Sequence, residues 1–272
     1  MGSVVAIDYS FKLLIDVNWL RLLGFFKVQK LVGGYESIEL LGPSEVVIQE
    51  RPLRIDYVFK LDDNFLLLEV KSENDILDDD DMYRLMLYAL GIGKRYRIPM
   101  YELKDRVSII VLAPSRKNLR VDTKKLRQGI YRLEAPINIT ALCVEEVELD
   151  EDVMWMGIIS SRLRRKILDV AVKKRNLKIL GILYIIDREL RSLIMSEWKE
   201  LLEEALRELG ETIGYGNLLQ IIAGDSRRLE EALRELGETM GYEKLMDIFI
   251  AILKKVDSNL IRKLRDKLKE EQ

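Results

Sequence analysis

Arg54-Ile55-Asp56-Tyr57-Val58-Phe59-Lys60-Leu61-Asp62-Asp63-Asn64-Phe65-Leu66-Leu67-Leu68-Glu69-Val70-Lys71 is the stretch that decides the fold of this chain. Two largely apolar runs flank Asp62-Asp63, which predicts two antiparallel strands joined by a two-residue turn. Such a turn pairs Leu61 with Asn64, and counting outward along both strands sets Asp56 opposite Glu69. Opposed residues have Cα atoms roughly 4.5–5.5 Å apart and project to one face. Strand alternation adds Lys71 to that face. Two carboxylates and an ammonium converge at the open end of a hairpin.

Like charges held this close raise each other's pKa unless a cation lies between them. A hard divalent ion such as Mg²⁺ suits an all-oxygen site, because it takes one or two carboxylates and keeps several waters. A metal there polarises a phosphoryl oxygen and acidifies bound water, while a neighbouring lysine orients or deprotonates the nucleophile. The residue set suits hydrolysis of a phosphodiester. A Glu-x-Lys triplet also arises readily in a chain that is 33% Asp, Glu, Lys and Arg, where it marks a solvated strand face. The neighbours favour the functional reading here. Phe65, Leu66, Leu67, Leu68 and Val70 make both faces apolar, as in a strand covered on two sides, and charges at the end of such a strand need partners.

Composition narrows the alternatives. A chain of 272 residues buries a large core in one or two domains, and a formal charge of −2 excludes a globally basic nucleic-acid binder, so contact with DNA has to come from a local patch. The absence of histidine excludes imidazole metal sites and His-based triads, and with a single Cys143 it argues against zinc. Cys143 lies in the apolar run 137–144 and reads as a small buried hydrophobe in a reducing compartment. The N-terminus has no basic flank followed by an apolar core, and Ile179–Ile186 is too short to span a bilayer. A cytoplasmic protein without membrane contact is expected.

Outward from the hairpin, the pattern is that of an α/β domain over residues 1–151 followed by an all-helical region over 152–272. Apolar spacing predicts a helix over Ser10–Phe26 closed by Gly33-Gly34, then short strands at Ser37–Leu41 and Glu45–Gln49 around Gly42-Pro43. A second helix starts within Asp78-Asp79-Asp80-Asp81, with a buried stripe of Met82, Leu85, Met86, Ala89 and Leu90. The acidic run reads as a helix start rather than as metal ligands. Strands follow at Arg106–Ala113 and Ile137–Val147, and a mixed sheet flanked by helices is the natural packing. In the helical region, Leu202–Thr212 recurs identically at Leu229–Thr239, with Gly-Tyr after each copy, so that segments 202–215 and 229–242 form a duplicated helical unit. A helical cap or dimerisation element accounts for it more simply than a binding array. Arg162, Arg164, Arg165 and Lys166 open the densest basic cluster of the chain, either as a phosphate-tracking helix or as a solvated helix surface.

The Asp, the Glu-x-Lys triplet on the next strand and the following helix together resemble the PD-(D/E)XK nuclease superfamily, with Asp56 as the Asp and Glu69-Val70-Lys71 as the triplet. Ile55 stands where the nominal proline would be. Asp8-Tyr9-Ser10-Phe11-Lys12 and Tyr83-Arg84-Leu85-Met86-Leu87-Tyr88 look like the Rpn family of recombination-promoting, transposase-like nucleases, a likeness that covers about residues 7–114. The resemblance implies a restriction-endonuclease-like mixed sheet and Mg²⁺-dependent cleavage of DNA, with Mn²⁺ as a substitute, linked to recombination or mobile elements. It implies Asp56 and Glu69 as metal ligands with the Val70 carbonyl as a third, and Lys71 as the residue that positions or activates the attacking water. Arg84 and Tyr88, four apart on one helix face, would turn toward the phosphate, although RecB-type relatives carry Gln at the place of Arg84. Lys12 is a further candidate for substrate contact, with packing of its aliphatic stem as the alternative.

Two other functions compete with an endonuclease: a DNA-binding or regulatory protein that kept the fold without turnover, and an interaction protein built on the repeated helices. A homodimer through the C-terminal helices is compatible with the first reading, since two sites cut both strands of a duplex most easily.

Overall fold

The computed structural model describes residues 14–15, 18–48, 51–151 and 153–213. These fall into two compact units that divide between Ile167 and Leu168. The first is an α/β unit around one seven-stranded mixed sheet, and helices make up the second.

The sheet contains β1 (Ile38–Ile48), β2 (Arg51–Leu61), β3 (Asn64–Val70), β4 (Val107–Ala113), β5 (Thr123–Arg127), β6 (Ile130–Leu133) and β7 (Asn138–Cys143) in the order β1-β2-β3-β4-β7-β6-β5. The pairs β3/β4 and β4/β7 are parallel and the rest antiparallel. Helix α1 covers residues 18–28, α2 is Asp79–Arg95 and α3 the short Leu103–Arg106.

The central hairpin has the register expected of a two-residue turn, with Leu61 opposite Asn64 and Tyr57 opposite Leu68. Asp62 holds the turn at φ 53°, a left-handed conformation that Asp tolerates because its side chain can bond locally. Its carboxylate accepts from the backbone N–H of Ser37 at 2.7 Å, from the Ser37 hydroxyl and from the Glu36 N–H, bonds that hold it below the usual carboxylate range. The turn is thereby tied to the chain entering β1.

Both faces of β3 are covered. Leu67 and Phe65 join Ile109, Val111, Ile139 and Ala141 under α2, while Leu66 and Leu68, at most 1% exposed, face the other way. On that second side Trp19 of α1 meets Phe59 at a centroid distance of 6.3 Å. Burying a leucine side chain fully contributes about 1.5–3 kcal/mol, so this strand anchors the unit.

Several elements differ from the sequence expectation. Gly42-Pro43 does not separate two strands: β1 is continuous, with register shifts on both sides of Gly42, because a bulge absorbs a proline that lacks an N–H. Lys30 at φ 51°, rather than the glycine pair, closes α1, with Leu31 N–H bonded to Phe26 O at 2.8 Å. In α2 the buried stripe is Met82, Leu85, Tyr88, Ala89 and Ile92, whereas Leu90 is 36% exposed. The hairpin β5–β6 occupies a segment for which no element was expected. The last strand of the sheet ends at Cys143, short of Val147, and Cys143 is fully buried, its thiol pushed up to about 12 by desolvation.

From Met154 the chain is helical: a 3₁₀ turn at Met154–Ile159, then α4 (Ser161–Lys173), α5 (Leu177–Ile186), α6 (Arg188–Glu197) and α7 (Lys199–Ile213). The start of the first duplicated segment lies in α7, and the second copy lies outside the described residues. No helix among the described residues is long and apolar enough to cross a membrane.

Candidate functional site

Adjacent residues of a strand direct their backbone groups to opposite sides, and this positions the site. The Lys71 N–H bonds to Leu112 O at 2.8 Å on the β4 side, so the N–H and C=O of Val70 turn toward β2. There the β2/β3 ladder has run out at Tyr57 and Leu68, and the Asp56 carboxylate takes the place of the next carbonyl, with its Oδ2 accepting from Val70 N–H at 2.9 Å. Asp56 is therefore fixed at the carboxyl end of β3 beside Val70, on the face that carries Glu69.

Glu69 and Lys71 are 7% and 6% exposed, unusual burial for ionic side chains. Their partners come from α2. Lys71 Nζ lies 2.7 Å from Asp81 Oδ2 and 3.9 Å from Glu69 Oε1. Arg84 Nη2 donates to Glu69 Oε1 at 3.0 Å and lies 2.6 Å from Asp81 Oδ1. Charges alternate around this quartet, and with Asp56 three carboxylates face two cations.

That imbalance falls on Glu69. Burial, then the Asp56 charge, push its carboxyl up to about 7 against the pull of Lys71 and Arg84. Burial lowers the Arg84 guanidinium, but Glu69 and Asp81 outweigh it and the net shift is upward. Tyr88, 3% exposed on the same helix face, is pushed up to about 12 by burial and by Glu69. The Nε of Arg84 is buried with no hydrogen-bond partner among the described residues.

Asp81 is the site residue that the sequence reading missed. The acidic run does start the helix, since the Asp78 side chain caps α2 by accepting from Asp81 N–H at 3.1 Å. The last Asp of the run nevertheless turns inward. Asp81, Arg84 and Tyr88 stand at i, i+3 and i+7, which is one helix face, and that spacing was the available signal.

The loop after Lys71 is braced from outside. The Asn118 amide, 7% exposed, donates to Glu73 O at 3.0 Å and Asp75 O at 2.9 Å, and Asp75 in turn accepts from the Ser72 N–H and hydroxyl.

The remaining candidates are dispersed. Lys12 lies outside the described residues. The start of α4 reaches the carboxyl edge of the sheet, where Ser161 N–H meets Glu73 and the Ser160 hydroxyl donates to Glu145 at 2.7 Å. Of its basic residues, Arg162 pairs with Glu145 at 3.3 Å, Arg165 and Lys166 are exposed, and Arg164 is 6% exposed with its Nε donating to Ile158 O at 2.8 Å. Of the residues expected to form a site, Asp56, Glu69, Val70, Lys71, Arg84 and Tyr88 come together, and Arg164 is turned into the protein.

Among the described residues no three Asp, Glu or Cys side chains are grouped so as to hold a metal ion. An ion here would lean on two carboxylates, the Val70 carbonyl and water, a donor set within the habits of Mg²⁺. The chain matches no family model, no curated protein and no solved structure.

Proposed function

We propose that this chain is a metal-dependent endonuclease that hydrolyses phosphodiester bonds of DNA, on a restriction-endonuclease-like sheet. The observation that carries the reading is the Asp56 carboxylate, held by Val70 N–H at 2.9 Å and close enough to Glu69 to raise its carboxyl, at the carboxyl end of β3, with the ammonium of Lys71 buried 3.9 Å from Glu69. Ligands of α/β sheets bind outside the carboxyl ends of the parallel strands, and the site lies there.

Asp56, Glu69 and the Val70 carbonyl would hold Mg²⁺ or Mn²⁺. The raised carboxyl of Glu69 supports this fit, since a divalent cation answers the same electrostatic demand that a proton meets in its absence. The bound ion would supply polarisation of a phosphoryl oxygen and a more acidic water. Lys71, 2.7 Å from Asp81, would position or activate the attacking water and stabilise the charge that develops on the phosphate. Arg84, whose side chain is 39% exposed, has room to leave Glu69 and offer its unpartnered Nε to a phosphate oxygen. The link to recombination or mobile elements rests on the resemblance of the motifs alone.

One observation favours a second reading. Arg84 on Glu69 and Lys71 on Asp81 already neutralise two carboxylates, as in a DNA-binding protein that kept the site without turnover. Supercoiled plasmid incubated with the purified chain in Mg²⁺, Mn²⁺ or EDTA, beside Lys71→Ala, separates the two. Metal-dependent nicking that the variant lacks is the expected result. Duplex binding without nicking establishes the second reading, and equal nicking by both proteins refutes the site.

A further inference from the structure

The segment between β4 and β7 is the most basic part of the α/β unit. Residues 115–133 contain seven Arg or Lys against the single Asp122, a net of +6 in a chain whose total is −2, so the rest of the chain sums to −8. Lys117, Arg120, Lys124, Lys125 and Arg127 are all exposed, and none makes an ion pair among the described residues. Arg162, Arg175 and Lys178 do pair.

The topology aligns part of this charge with the site. Lys117 sits in the 3₁₀ turn Arg116–Asn118 just past the carboxyl end of β4, and the neighbouring Asn118 grips the loop that follows Lys71. Arg120 lies one residue beyond Leu119, whose backbone pairs with Leu77 at the entrance to α2. Arg127 ends β5 at the turn into β6, and that turn meets the carboxyl end of β7 through Cys143 N–H to Gly129 O at 2.8 Å. Gly129, at φ 69°, lets the turn close there, where a Cβ would collide with the Val147 side chain. Lys117 and Arg127 therefore stand on the same edge of the sheet as Lys71. From β3 to β5 there are four inter-strand steps, about 19 Å at ordinary strand spacing, equivalent to five or six base pairs of duplex.

Lysines on a strand at the sheet edge also discourage edge-to-edge aggregation, which is sufficient reason for Lys124 and Lys125. Lys117 and Arg120 belong to no strand, and that reason does not reach them; Arg127, the last residue of β5, joins them because it stands on the edge of the sheet that carries Lys71.

We infer that Lys117, Arg120 and Arg127 form a shelf that binds the sugar-phosphate backbone of a nucleic acid and leads it to the Asp56–Glu69–Lys71 site. The inference rests on the nuclease reading for its direction, and it names the surface that gives a net-acidic chain its hold on a polyanion. Phosphate contacts of this kind fix register without reading sequence.

The test uses the full chain in EDTA, with fluorescent 20-base-pair DNA, duplex RNA of the same sequence and anionic lipid vesicles as probes. Wild type is compared with Lys117→Gln/Arg120→Gln/Arg127→Gln, with the control Lys94→Gln/Arg97→Gln/Lys104→Gln, which removes equal charge at the end of α2 and before β4, and with Lys71→Ala. Thermal melts confirm that each variant folds. The shelf triple is expected to weaken duplex binding at least about tenfold and to flatten the slope of log affinity on log salt by about 3, with the control near wild type. Equal loss in both triples, no duplex binding by wild type, or preference for vesicles overturns the shelf. RNA bound as tightly as DNA upholds it as a backbone reader. Plasmid nicking is scored separately: a shelf that behaves as expected without nicking sinks the nuclease alone, and nicking with an inert shelf sinks the shelf alone.

Discussion

Two sets of ion pairs in this molecule use the same side chains and differ in almost everything else. Lys71, Glu69, Asp81 and Arg84 meet where β3 ends under α2, with Lys71 and Glu69 nearly inaccessible to water. Arg175–Glu204 at 3.1 Å and Lys178–Glu208 at 3.9 Å join α7 to the chain at and just before α5, and every one of those four side chains is at least a third exposed. Surface pairs typically contribute 0 to about 1 kcal/mol, because water screens them and two long side chains must be ordered. Buried ions lose several kcal/mol of hydration each, which attraction repays only in good geometry. The exposed pairs are incidental to folding, whereas the buried quartet is an expense that stability alone does not explain.

The sharpest way to break this contrast is to remove Lys71. If the quartet exists for chemistry, Lys71→Ala lowers metal-dependent cleavage by at least about a hundredfold, the usual scale for a group acting on the reacting atoms. Single-turnover nicking of plasmid measures it. An unchanged rate, in a variant whose melt is lowered, would make the quartet a structural device.

The next effect is on stability against pH. The folded carboxyl of Glu69 is raised from 4.5 to about 7, so the folded state keeps a proton that the unfolded chain releases. Relative stability from this group is complete below about pH 4.5 and is lost as pH climbs through about 7, on the order of 3 kcal/mol in all. Glu69→Gln removes the titration. In EDTA the difference between variant and wild-type melting should grow in the variant's favour between those pH values and then level off. A constant difference across the window would mean that Glu69 is ionised in the folded protein throughout.

In the helical unit the comparison predicts that packing outweighs charge. A Cβ at Gly181 of α5 would collide with Leu209 of α7, so Gly181→Ala should destabilise by about 1–3 kcal/mol as the helices are forced apart. Denaturant unfolding gives the value, and a neutral result would mean that Leu209 can swing aside.

The central hairpin was legible because two constraints agreed: a two-residue turn fixes register, and a slip of one residue would have put Asp56 and Glu69 on opposite faces. The site's partners were only half legible. Arg84 and Tyr88 could be placed from helical spacing, but the cap explained Asp81 well enough that its second role went unseen. The β5–β6 hairpin escaped because Lys124, Lys125, Leu126 and Arg127 are all exposed, so the strand has no apolar alternation to betray it. Gly42-Pro43 looks like a break because turn residues and bulge residues are alike in sequence; only the partner strand distinguishes them. Arg164 shows the limit of counting charges, since a carbonyl at Ile158 that could satisfy a buried guanidinium is invisible until the chain is folded.

The smallest effect belongs to the exposed pair, and it sets the baseline for the rest. Arg175→Gln and Glu204→Gln, singly and together, should each change stability by no more than about 0.5 kcal/mol, with a coupling energy within that range that fades in salt. Glutamine is isosteric with Glu204, and at Arg175, where φ is 52°, an unbranched uncharged residue avoids confounding charge with a change of backbone preference. A double-mutant cycle at low and high salt measures the coupling. If it exceeded about 2 kcal/mol, proximity of opposite charges would by itself be worth much in this protein. The buried quartet would then need no catalytic reason for existing. A small coupling leaves the burial of Glu69 and Lys71 unexplained by the attraction of opposite charges alone.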